Sequence, residues 1–131
     1  MKKSTGLFLA VLAGLAIIST TVPASTDRDG DGIFDAEDSC SESVFTDTVI
    51  IEGCEECDSG VRNVVFKNGC TMSDLIAQCA VGKKNHGQFV SCVAHLTNEW
   101  KSAGFISGAE KGAIQSCAAK SNKGKVKGKD K

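Results

Sequence analysis

Five aspartates recur through one short stretch, Asp27-Arg-Asp-Gly-Asp-Gly-Ile-Phe-Asp-Ala-Glu-Asp38. Counted from Asp27, the carboxylates of Asp27, Asp29, Asp31, Asp35 and Asp38 stand at positions 1, 3, 5, 9 and 12. Gly32 stands at position 6, where a chain wrapped around an ion must turn sharply, and Ile33 at position 7 can add its backbone carbonyl. Hard oxygens at alternating positions suit Ca²⁺, whose flexible shell of six to eight ligands tolerates a loop. Gathered without a cation, these carboxylates repel one another. The predicted metal ligands are therefore the side chains of Asp27, Asp29, Asp31, Asp35 and Asp38 and the carbonyl of Ile33. Asp38 is shorter than the Glu that closes tighter loops, and cleavage after Ala24 would leave an α-ammonium near Asp27. Both favour weak binding, on the order of 10⁻⁴–10⁻³ M.

Cysteine is the second chemical resource. Cys40, Cys54, Cys57, Cys70, Cys79, Cys92 and Cys117 suit a disulfide framework in an oxidising compartment. The count is odd, so three bridges, each worth about 2–4 kcal/mol, leave one thiol over. Cys40 follows the last aspartate by two residues, so a bridge there would fasten the acidic loop to the rest of the chain. Cys54-Glu-Glu-Cys57 has the spacing of a thiol-redox motif. It follows a strand pattern rather than opening a helix, and Glu55, Glu56 and Asp58 disfavour a thiolate, so a structural role is the stronger reading. Zinc could draw on His86, His95 and cysteines, but the histidines are nine apart and no second pair matches Cys92-Val-Ala-His95. Nucleophile-elbow, HExxH, Walker and dinucleotide-binding motifs are absent, so the chain does not read as an enzyme.

The stretch from Asp27 to Cys40, D-x-D-G-D-G-x-x-D-x-x-D-x-C, resembles a single thrombospondin type-3 repeat, a calcium-binding module of extracellular and bacterial envelope proteins. The resemblance implies the same ligand set at Asp27, Asp29, Asp31, Ile33, Asp35 and Asp38. Ser41 stands where that family usually has Pro, and the repeat is solitary rather than tandem. The following domain, through CDSGVRN, NGC and DLIAQCA from Cys57 and NHGQFVSCVAHLTN and KGAIQSCAA from Asn85, resembles small secreted bacterial proteins of unassigned function. That likeness implies a defined domain and carries no activity with it.

The elements that must position these groups can be read from periodicity. Thr46 to Glu52 and Val61 to Phe66 are rich in β-branched residues, and Gly53, Asp58-Ser-Gly60 and Lys67-Asn-Gly69 punctuate them, which predicts two short antiparallel strands. Ser73 precedes a short helix from Asp74 to Cys79 as its N-cap. Phe89, Val90, Cys92, Val93, Leu96 and Trp100 form the apolar stripe of a helix from Gln88 to Ala103, with Gly104 closing it. Ser107-Gly-Ala-Glu110 is a capping box for a last helix whose inner face carries Ile114, Cys117 and Ala118. The expected fold class is α+β: a small disulfide-stapled domain with a short β-hairpin followed by about three helices.

Length and charge complete the frame. The chain has 131 residues and a net charge of −1. Lys2-Lys3, the apolar run from Leu7 to Ile18 and Val22-Pro-Ala24 read as an export signal over residues 1–24. Twelve helical residues reach roughly 18 Å, too short for a hydrocarbon core of about 30 Å, so no transmembrane span is expected after processing. The remainder divides into a calcium-binding acidic loop (25–40), a Cys-rich α+β domain (41–119) and a disordered lysine-rich tail (120–131).

From Ser25 to Asp58 the chain carries 12 acidic residues and one basic, and from Ser59 onward 12 basic and four acidic. The asymmetry bears on partners rather than on fold. The tail would be drawn weakly to anionic surfaces, and without aromatic residues it predicts no specific nucleic-acid binding. The chain thus reads as an exported calcium-binding structural or interaction protein of the bacterial envelope or extracellular matrix, adhesive or self-associating through its odd cysteine. Alternatives are a small thiol-redox or metal-handling protein using Cys54 and Cys57, and a cationic secreted effector.

Overall fold

Helix starts in this chain are set by side chains that accept from otherwise unpartnered backbone N–H groups. The structure, a computed structural model, describes residues 14, 26–53 and 57–123. The export-signal reading, Cys54 and most of the lysine-rich tail lie outside the described residues. In chain order the elements are β1 (Thr48–Ile50), β2 (Asp58–Arg62), α1 (Met72–Gln78), α2 (His86–Ser102) and α3 (Gly108–Lys120). This is a small α+β domain with a two-stranded antiparallel sheet and three helices. No described helix is long and apolar enough to cross a membrane.

Ser107 and Glu110 form the expected capping box of α3: Ser107 Oγ accepts from the Glu110 N–H at 3.2 Å, and Glu110 accepts from the Ser107 N–H at 2.6 Å. Asn85 caps α2, accepting from the Gln88 N–H, so that helix starts at His86 rather than Gln88. Its end is a Schellman closure, with Phe105 N–H on the Trp100 carbonyl, Gly104 N–H on that of Lys101, and Gly104 at φ 82°. The first helix departs from expectation. Its cap is Thr71, not Ser73, and Asp74 sits at the third helical position as the reciprocal half of a capping box. Thr71-Met-Ser-Asp74 has the required spacing, with Asp replacing the usual Glu.

The strands also shift. β1 is shorter than the β-branched run, and β2 begins at Asp58, inside what the sequence marks as a turn. The register slips between the Thr48–Arg62 and Ile50–Asp58 pairs, a bulge that Gly60 accommodates at φ 67°. Ser59 helps by donating to the Val49 carbonyl at 2.9 Å.

The core draws on every element. Val49 and Val61 from the hairpin, Ile76 from α1, Phe89 and Val93 from α2 and Ile114 from α3 are each at most 3% exposed. Burial of such side chains contributes about 1.5–3 kcal/mol apiece. The predicted stripe of α2 is largely inward, and Trp100 stacks on Phe66 with ring centroids 5.9 Å apart. Thr97 is an addition to it: fully buried, it donates to the Val93 carbonyl and accepts from Gln115 Nε2 at 2.8 Å, joining α2 to α3.

Two bridges staple the described chain. Cys40–Cys70 ties the acidic loop to the segment before α1, and Cys79–Cys92 ties the end of α1 to α2. Cys57 is disulfide-bonded as well. Cys117 is the free thiol among the described cysteines; burial pushes its pKa up, against the pull of Lys120 and with the push of Asp58.

Lys120 ends α3, Ser121 is buried, and Asn122 donates its N–H to the Gly53 carbonyl at 2.9 Å. At residues 120–122 the chain is packed rather than free, because Ser121 bonds back to the Ala118 carbonyl of α3 and the Asn122 N–H reaches Gly53.

Two hydrogen-bonded carboxylates, Glu110 in the α3 capping box and Asp58 at the start of β2, give the fold an acid limb. Hydrogen bonds from Ser107 hold Glu110 below the usual carboxylate range, and bonds from the Thr48 side chain and the Gly60 N–H do the same for Asp58. A carboxyl whose pKa is lowered on folding adds stability above its unfolded pKa, about 4, and that stability is lost as pH falls through the folded value. Melting curves at pH 7 and pH 3 are expected to differ less for Glu110→Gln than for the parent chain. An unchanged difference would show that the charge of this box is not part of the acid response.

Candidate functional site

The acidic loop is built from contacts that each span only a few residues. Asp27 accepts the Gly30 N–H on Oδ1 at 2.7 Å and the Gly32 N–H on Oδ2 at 3.0 Å. Asp29 Oδ1 accepts from the Asp31 N–H, and Asp31 Oδ1 from the Ile33 N–H. Gly30 and Gly32 take φ values of 76° and 90°, so both glycines provide left-handed turns that place three carboxylates on the inside of one curve. Asp35 closes the curve, accepting from the Arg28 N–H and donating its own N–H to the Thr26 carbonyl at 2.7 Å.

Longer contacts hold the loop against the domain. Ser39 N–H reaches the Asn68 carbonyl at 2.9 Å, beside the Cys40–Cys70 bridge. Gly69, at φ 81°, lies against Asp38 so closely that a Cβ there would overlap its carboxylate. The Ser43 N–H donates to Asp29 Oδ2 at 3.0 Å, and the Ser43 hydroxyl lies 2.7 Å from Asp74 Oδ2 in the capping box of α1. A chain of polar contacts therefore runs from a predicted ligand, Asp29, to the first turn of α1. At the loop's outer side Arg28 pairs with Glu42 at 2.8 Å; both are well exposed, which limits that pair to a fraction of a kcal/mol.

Of the predicted ligands, the structure gathers Asp27, Asp29 and Asp31, each offering one carboxylate oxygen within 4.8 Å of the others. Asp35 and Asp38 lie outside this trio. Two oxygens, Asp31 Oδ2 and Asp38 Oδ2, are shielded from solvent and have no hydrogen-bond partner. The donor set of the trio is carboxylate oxygen throughout, the chemistry of a hard cation, and of the two orphaned oxygens the one on Asp31 belongs to it.

Among the described residues the zinc candidates are not gathered, and Cys54 of the Cys54–Cys57 motif lies outside them. His95 is exposed on α2, and Cys92 is oxidised. His86 turns Nδ1 to the Lys123 carbonyl at 2.7 Å and Nε2 to that of Ala119 at 3.1 Å, at the end of α3. Sequence reasoning missed Ser43, Asp74 and Gly69 as supports of the loop. Only the Asn68-Gly69 turn signal pointed there, because contacts spanning 14 to 31 residues leave no mark in local spacing.

No family model, no curated protein and no solved structure matches the chain.

Proposed function

We propose that the protein is an exported, disulfide-stapled domain that binds Ca²⁺ through its acidic loop and serves a structural or interaction role in the bacterial envelope or extracellular matrix. The observation that carries this reading is the Asp27–Asp29–Asp31 trio together with the orphaned oxygen of Asp31 within it. The resemblance of the loop to a thrombospondin type-3 repeat and the bridges at Cys40–Cys70 and Cys79–Cys92 support it. Bound Ca²⁺ neutralises the crowded carboxylates. Asp29 and Ser43 then transmit the ordering of the loop to α1, and the ordered loop becomes a surface for adhesion or self-association.

Calcium titration of the oxidised chain by calorimetry tests the reading. One site of sub-millimolar to millimolar affinity is expected, lost when Asp29 and Asp31 are both changed to Asn. At ten times the dissociation constant, Ca²⁺ is expected to add about 1.4 kcal/mol to unfolding stability. A chain that takes up no Ca²⁺ and melts identically with and without it overturns the proposal.

A further inference from the structure

Both ring nitrogens of His86, the first residue of α2, meet carbonyl oxygens at the far end of α3. Nδ1 lies 2.7 Å from the carbonyl of Lys123 and Nε2 3.1 Å from that of Ala119. A carbonyl only accepts. A neutral imidazole donates through one nitrogen and turns the lone pair of the other outward, so it satisfies one of these oxygens and opposes the other. An imidazolium donates to both. The ring is half-buried and sits beside Phe89, with centroids 6.1 Å apart, which limits its freedom to turn away from either oxygen.

The surroundings divide in sign. Ala119 lies in the last turn of α3, where carbonyls lack partners along the helix and the dipole favours a cation. Against a charged ring stand the first turn of its own helix and the lysines of the neighbouring segments: Lys83 and Lys84 before α2, Lys120 at the end of α3, and Lys123. Lys83, Lys84 and Lys120 are exposed, so water and salt weaken their repulsion. The Lys123 ammonium is paired with Glu52 at 2.8 Å. Two charge-assisted hydrogen bonds at contact distance outweigh this screened repulsion.

The same short segment is also tied to the hairpin, where the Asn122 N–H meets the Gly53 carbonyl and the Asn122 side chain fills the space a Cβ on Gly53 would need. Residues 121–123 therefore join the end of α3, the hairpin and the start of α2, and a histidine in such a junction changes its number of donors near neutral pH.

We propose that His86 is an acid-fastened latch: its protonated ring ties the chain leaving α3, at Ala119 and Lys123, to the start of α2, and its deprotonation releases one of the two ties. The added bond is present below the ordinary histidine value, about 6.5, and is lost as pH rises past it. This sign is opposite to that of the acid limb at Glu110 and Asp58, which fails only at much lower pH. The latch is independent of calcium.

NMR on the oxidised chain tests it. Long-range proton–nitrogen spectra report how many His86 nitrogens carry a proton, without any variant, and hydrogen exchange corrected for its intrinsic pH dependence reports how firmly the Asn122 N–H is closed on Gly53. Both nitrogens are expected to carry protons at about pH 5.5 and one at about pH 8.5. Protection of the Asn122 amide is expected to be about tenfold lower at the higher pH, the worth of one charge-assisted hydrogen bond. His86→Gln keeps a donor and does not titrate, so it should abolish the dependence, whereas His95→Gln, on the exposed face of α2, should leave it in place. Equal protection at the two pH values overturns the proposal. So does a fall that persists in His86→Gln, or a ring that carries one proton throughout.

Discussion

Replacing Cys40 and Cys70 together by serine is expected to lower unfolding stability by about 3–4 kcal/mol, since the bridge closes a span of 30 residues and its loss frees the unfolded chain. For a domain of this size that corresponds to a fall in melting temperature of more than roughly 10 °C. The bridge has a second consequence, because it holds the loop beside Asn68 and Gly69, where Asp38 packs. The serine variant should therefore also lose most of the rise in melting temperature that the proposed Ca²⁺ binding predicts for the parent. Removing Cys79–Cys92, which spans 13 residues, is expected to cost a comparable amount, about 3 kcal/mol, and to leave the calcium response in place. Thermal unfolding of both variants with and without Ca²⁺ separates the two effects. Equal calcium responses would mean that the Cys40 bridge does not organise the loop.

Asp74→Ala is the second large effect. Asp74 Oδ2 lies 2.7 Å from the Thr71 N–H, 2.7 Å from the Thr71 hydroxyl and 2.7 Å from that of Ser43. Thr71 is fully buried, so truncation strands donors that water cannot reach, and it also removes half of the α1 capping box. A stranded buried donor costs about 1–3 kcal/mol and a lost cap about 1, giving an expected loss of about 2–4 kcal/mol. Asp74→Asn should recover much of it, because the amide oxygen still accepts. Urea unfolding of the two variants provides the comparison, and an alanine variant within 0.5 kcal/mol of the parent, roughly the range of an ordinary surface change, would remove Asp74 from the network.

What could be read ahead of the structure depended on the range of each contact. The box at Ser107 and Glu110 was legible because both partners lie within one helical turn. The inner curve of the acidic loop was legible for the same reason, since Asp27 reaches only as far as Gly32. Thr71 was obscured by Ser73, a good cap standing directly before Asp74; the core placement of Thr71 and Met72 decides the start two residues earlier. Asp58-Ser-Gly60 reads as a turn from its residue types, yet the same freedom at Gly60 allows a bulge within a strand. The partners of Cys40 and Cys79, the Asp29–Ser43 contact and the fit of Asp38 against Gly69 depend on how distant segments fold together, and no local pattern encodes them.

A sheet of two strands has two rims at which a further chain could add hydrogen bonds, and proteins that leave such rims open tend to polymerise. Here the Ile50 N–H is already spent on Ser73 Oγ at 3.2 Å, and β2 is kinked at Gly60 and packed against α3. Both rims are thereby blunted. Strand addition at these rims is therefore disfavoured, and any association between copies would have to draw on side-chain surfaces, which salt screens, rather than on amyloid-like stacking.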